Sequence, residues 1–114
     1  MEPIRKSRDF KQVYNRRRSM ANRLLVLYIR ENGLPESRLG ISISRKVGCA
    51  VLRNRLKRII KEHVRLRQAE IAFGYDLVIV VRKAAVLPKD KAFKQIGQAL
   101  FNLLDRQGLM GVVG

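Results

Sequence analysis

The spacing of apolar residues shifts along the chain, and each shift marks an element border. Phe10, Val13 and Tyr14 recur at helical spacing up to the run Arg16-Arg17-Arg18. Ser7 is the predicted N-cap of that helix, and Asp9 in its first turn complements the dipole. From Arg23 to Arg30 the period falls to two. Leu24, Val26 and Tyr28 share one face of a strand, and Leu25, Leu27 and Ile29 share the other. Asn32-Gly33-Leu34-Pro35 is a turn signal. Leu39, Ile41 and Ile43 then alternate with Gly40, Ser42 and Ser44, a strand with one face in an apolar core.

A second helix is predicted from about Ala50 to the low 70s, where Gly74 can end it. The apolar run inside Asp76 to Lys83 reads as a central strand. Pro88 and Asp90 open a last helix that carries Ala92, Phe93, Ile96, Leu100, Leu103 and Leu104 and closes near Gly108. Gly97 lies on its apolar side, where it would let the helix approach the sheet closely. The order is helix, two or three strands, helix, strand, helix. This is an α+β sandwich with a mixed sheet, in one domain spanning 1–114.

Charge sharpens the picture. The 25 Lys and Arg against 9 Asp and Glu give a net +16, a balance that calls for a polyanionic partner. Nucleic acid leads. A membrane surface is disfavoured, because the runs Leu24–Ile29 and Leu77–Val81 are far below spanning length and the basic helix has no Trp or Phe on its apolar side. Ile4 is followed at once by Arg5 and Lys6, so no signal-peptide apolar region is present. The single cysteine, Cys49, excludes an internal disulfide or a cysteine-based zinc site and is expected to be a small buried filler. These absences predict a cytoplasmic protein.

The charge is concentrated. Arg53, Asn54, Arg55, Lys57, Arg58 and Lys61 occupy a short span in which Leu56, Ile59 and Ile60 keep helical spacing. Only Glu62 interrupts the single sign between Arg53 and Arg67, so compensating i,i+4 pairs are scarce and a solvated stabilising face does not account for the run. Arginine forks fit phosphate, and asparagine serves a sugar or base edge. Phe10, Tyr14 and Tyr28 read as core on periodicity alone. Yet Tyr28 shares its strand face with Arg30, and pairing through the sheet would add Ser42 and Ser44. Such a surface suits stacked single-stranded bases. Catalytic machinery is missing. His63 and Glu62 are helix neighbours pointing about 100° apart, and the carboxylates show no metal-holding spacing. Gly48 alone is too weak for a phosphate loop.

The stretch Val47-Gly48-Cys49-Ala50 through Arg53-Asn54-Arg55-Leu56-Lys57-Arg58 resembles the Arg-Asn-Arg signature of the bacterial ribonuclease P protein component. So do Asp9-Phe10 to Tyr14, Ala21-Asn22-Arg23 with Val26-Leu27-Tyr28, and Ser44-Arg45-Lys46-Val47-Gly48. Two departures stand out. Tyr14 replaces a common Phe, and the chain closes Met110-Gly111-Val112-Val113-Gly114 without the basic tail through which some relatives contact RNA.

The resemblance implies about four strands, mostly antiparallel, with three helices in a two-layer sandwich. The fold would be that of the second domain of ribosomal protein S5, with a left-handed βαβ crossover where pattern alone predicts a right-handed one. It implies a protein subunit that binds the catalytic RNA and the single-stranded 5′ leader of precursor tRNA, with catalytic Mg²⁺ held by the RNA and no cofactor in this chain. Arg45, Lys46, Arg53, Asn54, Arg55, Lys57, Arg58 and Lys61 would contact RNA, and Phe10, Tyr14 and Tyr28, with Arg30 beside them, would line the leader cleft. The rival readings are a ribosomal-type structural RNA-binding protein and an autonomous nuclease.

Overall fold

The computed structural model describes residues 1–111, and Val112, Val113 and Gly114 of the non-basic chain end lie outside the described residues. The elements run β1 (Glu2–Pro3), α1 (Ser7–Asn15), β2 (Ser19–Ala21), β3 (Leu25–Glu31), β4 (Arg38–Ser42), α2 (Ala50–Leu66), β5 (Tyr75–Val81) and α3 (Lys89–Arg106). One mixed sheet has the order β1-β4-β5-β3-β2. The apolar run becomes β5, the central strand, antiparallel to β3 and parallel to β4, to which α2 connects it. The α+β reading holds, with five strands rather than about four because β1 adds a two-residue parallel edge.

Alternation on β3 and β5 divides the sheet into two faces. Leu25, Leu27, Ile29, Leu77, Ile79 and Val81 enter the main core, against Leu56, Ile60 and Val64 of α2 and Ile96, Leu100, Leu103 and Leu104 of α3. Each such side chain contributes about 1.5–3 kcal/mol on full burial, so this face holds most of the stability. The α1 side has a much smaller core of Ile4, Val13 and Val78.

Several local expectations change. Lys6, not Ser7, precedes the first helical residue, and no side chain caps α1. The basic helix stops at Leu66, short of the low 70s. Arg67 leaves helical geometry so that a 3₁₀ turn, Gln68–Glu70, can deliver Ile71 into the core, where it bridges Met110. Gly74 (φ 82°) instead serves the turn into β5. Phe93 is 46% exposed and stacks on His63, with ring centroids 4.0 Å apart. Gly97 meets α2 rather than the sheet: a Cβ there would fall 2.6 Å from His63 Nε2. Cys49 is exposed at the start of α2, where the Leu52 backbone N–H holds its thiol below the ordinary value.

One buried charge organises the α1 face. Asp76 is fully buried on β5. Arg38 of β4 donates to it through Nε at 2.8 Å and Nη2 at 2.7 Å, Asn32 donates at 3.0 Å, and Arg30 of β3 stands at 3.5 Å. Burial alone would raise this carboxyl, but the Arg38 and Asn32 hydrogen bonds and the Arg38 and Arg30 charges hold it below the ordinary value. The same arginines reach α1: Arg38 pairs with Asp9 at 3.6 Å, and Arg30 donates to Gln12 Oε1 at 2.7 Å. Asp76→Asn should therefore lower unfolding free energy at neutral pH by about 3 kcal/mol, as expected when one partner of a buried pair is removed. A depressed carboxyl stabilises fully above its unfolded pKa, ordinarily 3.8, and its contribution is lost as pH falls through the folded value. Denaturant melts of both proteins from pH 7 to pH 2 should thus converge at the acid end.

Candidate nucleic-acid interface

The register sorts the α1 face into three rows. Arg38, Asp76 and Arg30 are cross-strand partners and form the charged seam. Gly40, Val78, Tyr28 and Ser19 form the next row. Ser42, Val80, Val26 and Ala21 form the third. The nine-residue α1 is only about 14 Å long. Asp9 and Gln12 tie it to the charged row, and the third row stays partly open, with Ser42, Val80 and Val26 half-buried.

An open groove results, lined by Ser7, Phe10, Lys11 and Tyr14 of α1 and Ile41 and Ser42 of β4. Tyr28 borders it, edge to face with Tyr14, the ring centroids 4.8 Å apart and the planes at 86°. All three predicted aromatics are half-buried: they pack on Ile4, Val13 and Val78 and still show surface to solvent. They are thus part core and part solvent-facing, since a ring offers one face or edge to packing and keeps another free. Arg30 is brought to the same face, but its guanidinium is held by Gln12 and Asp76 and supports the groove from behind. Ser42 joins the groove. Ser44 lies past the end of β4, where its hydroxyl accepts from the Lys46 N–H at 3.1 Å. Sequence reasoning missed Lys11, although it sits one turn before Tyr14 and brings a cation to the groove wall.

The basic residues follow on the same chain path. Arg45 and Lys46 are exposed in the turn after β4, anchored by buried Val47. On α2, Leu56, Ile60 and Val64 face the core. Asn54, Lys57, Arg58 and Lys61 instead line a shallow depression with Val51, which is 78% exposed. Arg53 is half-buried and donates to the Gly48 carbonyl at 3.1 Å, bracing the entry to the helix. Arg55 is half-buried on the flank. Among the described residues the ion pairs involve Arg30, Arg38, Arg65 and Arg67, so the cations from Arg53 to Lys61 have no carboxylate partner. Nor do the described residues gather three or more His, Cys, Asp or Glu side chains into a metal-holding group. Binding and positioning of a polyanion are what this arrangement can do chemically.

The ribonuclease P family model matches residues 1–108. A ribonuclease P protein component of Alkaliphilus oremlandii is 42% identical over 107 residues, covering 94% of this chain and 91% of that protein. One from Clostridium botulinum (strain Langeland) is 49% identical over 107 residues, covering 93% and 94%. Among solved structures, the Staphylococcus aureus RNase P protein matches with a TM-score of 0.86 at 35% identity, over 96% of this chain and 98% of that one. The Thermotoga maritima RNase P protein gives 0.78 at 34% identity, over 93% and 97%.

Replacing Lys57, Arg58 and Lys61 together with Ala should weaken RNA binding while leaving the fold intact, because none of the three is in the core. Each lost phosphate contact should flatten the slope of log K against log salt by up to about 0.9 on a duplex, and by about 0.7 on a single strand. Filter-binding titrations over a salt series read this directly. An unchanged slope would reduce the helix to a solvated face.

Proposed function

This chain belongs to the ribonuclease P family, and on that premise we propose how its two surfaces divide the work: the cationic face of α2 and the Arg45-Lys46 turn hold the RNA subunit, and the aromatic groove holds the single-stranded 5′ leader of precursor tRNA. It is the protein subunit of an endoribonuclease that processes tRNA 5′ ends, and the RNase P RNA is its partner. That membership sets aside the ribosomal-type reading. One observation carries the assignment of surfaces. A groove walled by Phe10, Tyr14 and Tyr28 lies on the sheet at Ser42, and the chain leaves that strand directly into the unpaired basic segment.

A leader entering the groove would lay its bases on the aromatic faces, with Lys11 beside its phosphates and Ser42 as a hydroxyl partner. Stacking of this kind tolerates any sequence, because every base has a π-face. A duplex hides those faces in its own stack, which favours the unpaired leader over the tRNA body. The protein thereby contributes orientation of the substrate. Among the described residues no three His, Cys, Asp or Glu side chains gather to hold a metal, so no metal-dependent step is assigned to this chain. In this reading hydrolysis is the work of the RNA subunit and its Mg²⁺. None of the described helices is long and apolar enough to cross a membrane. A role on newly made tRNA is in keeping with work in the cytoplasm.

Two measurements test this reading. Purified protein in Mg²⁺ should leave precursor tRNA intact, and adding the RNA subunit should give cleavage at low Mg²⁺. Cleavage by protein alone that survives destruction of contaminating RNA would refute it. In the holoenzyme, Tyr28→Ala should cost about 1–3 kcal/mol of affinity for precursor tRNA and almost none for mature tRNA. A large fall in Tm without leader-specific loss would return Tyr28 to a purely structural role.

A further inference from the structure

Gly40 lies in the middle of β4, buried beneath α1 on the groove side of the sheet. A Cβ at this position would sit 2.7 Å from Cε1 and 2.8 Å from Cζ of Phe10, and 3.3 Å from Cβ of Ile4. Contacts under 3.0 Å cannot persist, so a side chain here forces something to move. Ile4 is buried, and α1 is fastened to the seam by Asp9 and Gln12. The Phe10 ring is different: it is the far end of a side chain, half-buried, with the open groove on its other side. It is the part that can swing, and it would swing into the groove. Glycine inside a strand forgoes packing and often marks a place where another group approaches the backbone closely.

Resting on the leader-cleft reading above, we propose that Gly40 is a specificity-determining residue of the holoenzyme: its bare backbone seats the Phe10 ring deep enough for the groove to admit an unpaired leader base. Gly40 touches no RNA. It acts through Phe10, and its effect falls only on substrates that carry a leader. The strand and the main core lie on other contacts, so the fold tolerates the change that the groove does not.

The test is a double-mutant cycle on the reconstituted holoenzyme, protein plus ribonuclease P RNA. Equilibrium binding is measured for precursor tRNA with an unpaired leader and for mature tRNA. Phe10→Ala alone should weaken precursor binding at least about fivefold, the low end of losing one stacked base. Gly40→Ala should weaken it by a similar factor, leave mature tRNA within about twofold, and melt within a few degrees of the unaltered protein. In a Phe10→Ala background no ring remains to displace, so adding Gly40→Ala should change precursor binding by less than about twofold, the margin within which independent effects add. Three results would overturn the proposal: normal precursor affinity in Gly40→Ala, equal loss for both RNAs or a large fall in Tm, or a loss that persists without the Phe10 ring. If Phe10→Ala itself spares leader binding, the cleft reading fails, and that is read from Phe10→Ala alone.

Discussion

A carboxylate buried in the central strand governs how this protein is built around its groove. An ionised Asp76 without partners would be prohibitively unfavourable, so both neighbouring strands must bring cations to it. The arginines that do so are too large to be satisfied by one carboxylate, and their remaining donors reach up to Asp9 and Gln12 of α1. The helix is thus located by these polar ties acting together with a small apolar cluster. Because α1 is short and tethered over the charged row, it cannot also cover the row of Ser42, Val80 and Val26. The groove is what this constraint leaves uncovered.

The other face of the sheet explains why the charge of α2 stays available. Leu56, Ile60 and Val64, with Leu52 and Ile59 beside them, carry the packing of α2, and Asn54, Arg58 and Lys61 stand outside it. The acids are also committed elsewhere: of nine, Asp9, Glu62, Glu70 and Asp76 make ion pairs, none of them with a cation from Arg53 to Lys61. The basic surface is therefore unneutralised by construction. Its mutual repulsion weakens the free protein, and a polyanion that relieves the repulsion stabilises it.

How far the sequence disclosed all this depends on the range of the forces involved. Strands β3 and β5 and helices α2 and α3 follow from local periodicity, because each buries one face or runs through the core. The edge strands β1 and β2 have two and three residues, and only their partners make them strands. The end of α2 at Leu66 is set by Ile71 pairing across the molecule to Met110, which no local pattern encodes. Phe93 sits at an apolar spacing yet stacks on His63 at the surface, and Gly97 opens the space that His63 occupies. For the site, the basic residues were legible as a run of one sign. The aromatics were legible as types, but their half-buried state depends on three strands and a helix meeting, and Asp76 gave no local sign of its role.

That half-burial ties folding to binding. Among the described residues, the buried apolar cluster of the α1 face is small, Ile4, Val13 and Val78, and Phe10, Tyr14 and Tyr28 add apolar contact to it. The faces they leave exposed are apolar surface in water, an unfavourable state that stacked bases would relieve. A ligand that stacks there covers the same rings that anchor α1, and so favours the docked helix by mass action. Groove and helix are accordingly one energetic unit: the seam at Asp76 places α1 when the groove is empty, and an occupied groove holds it from the opposite side.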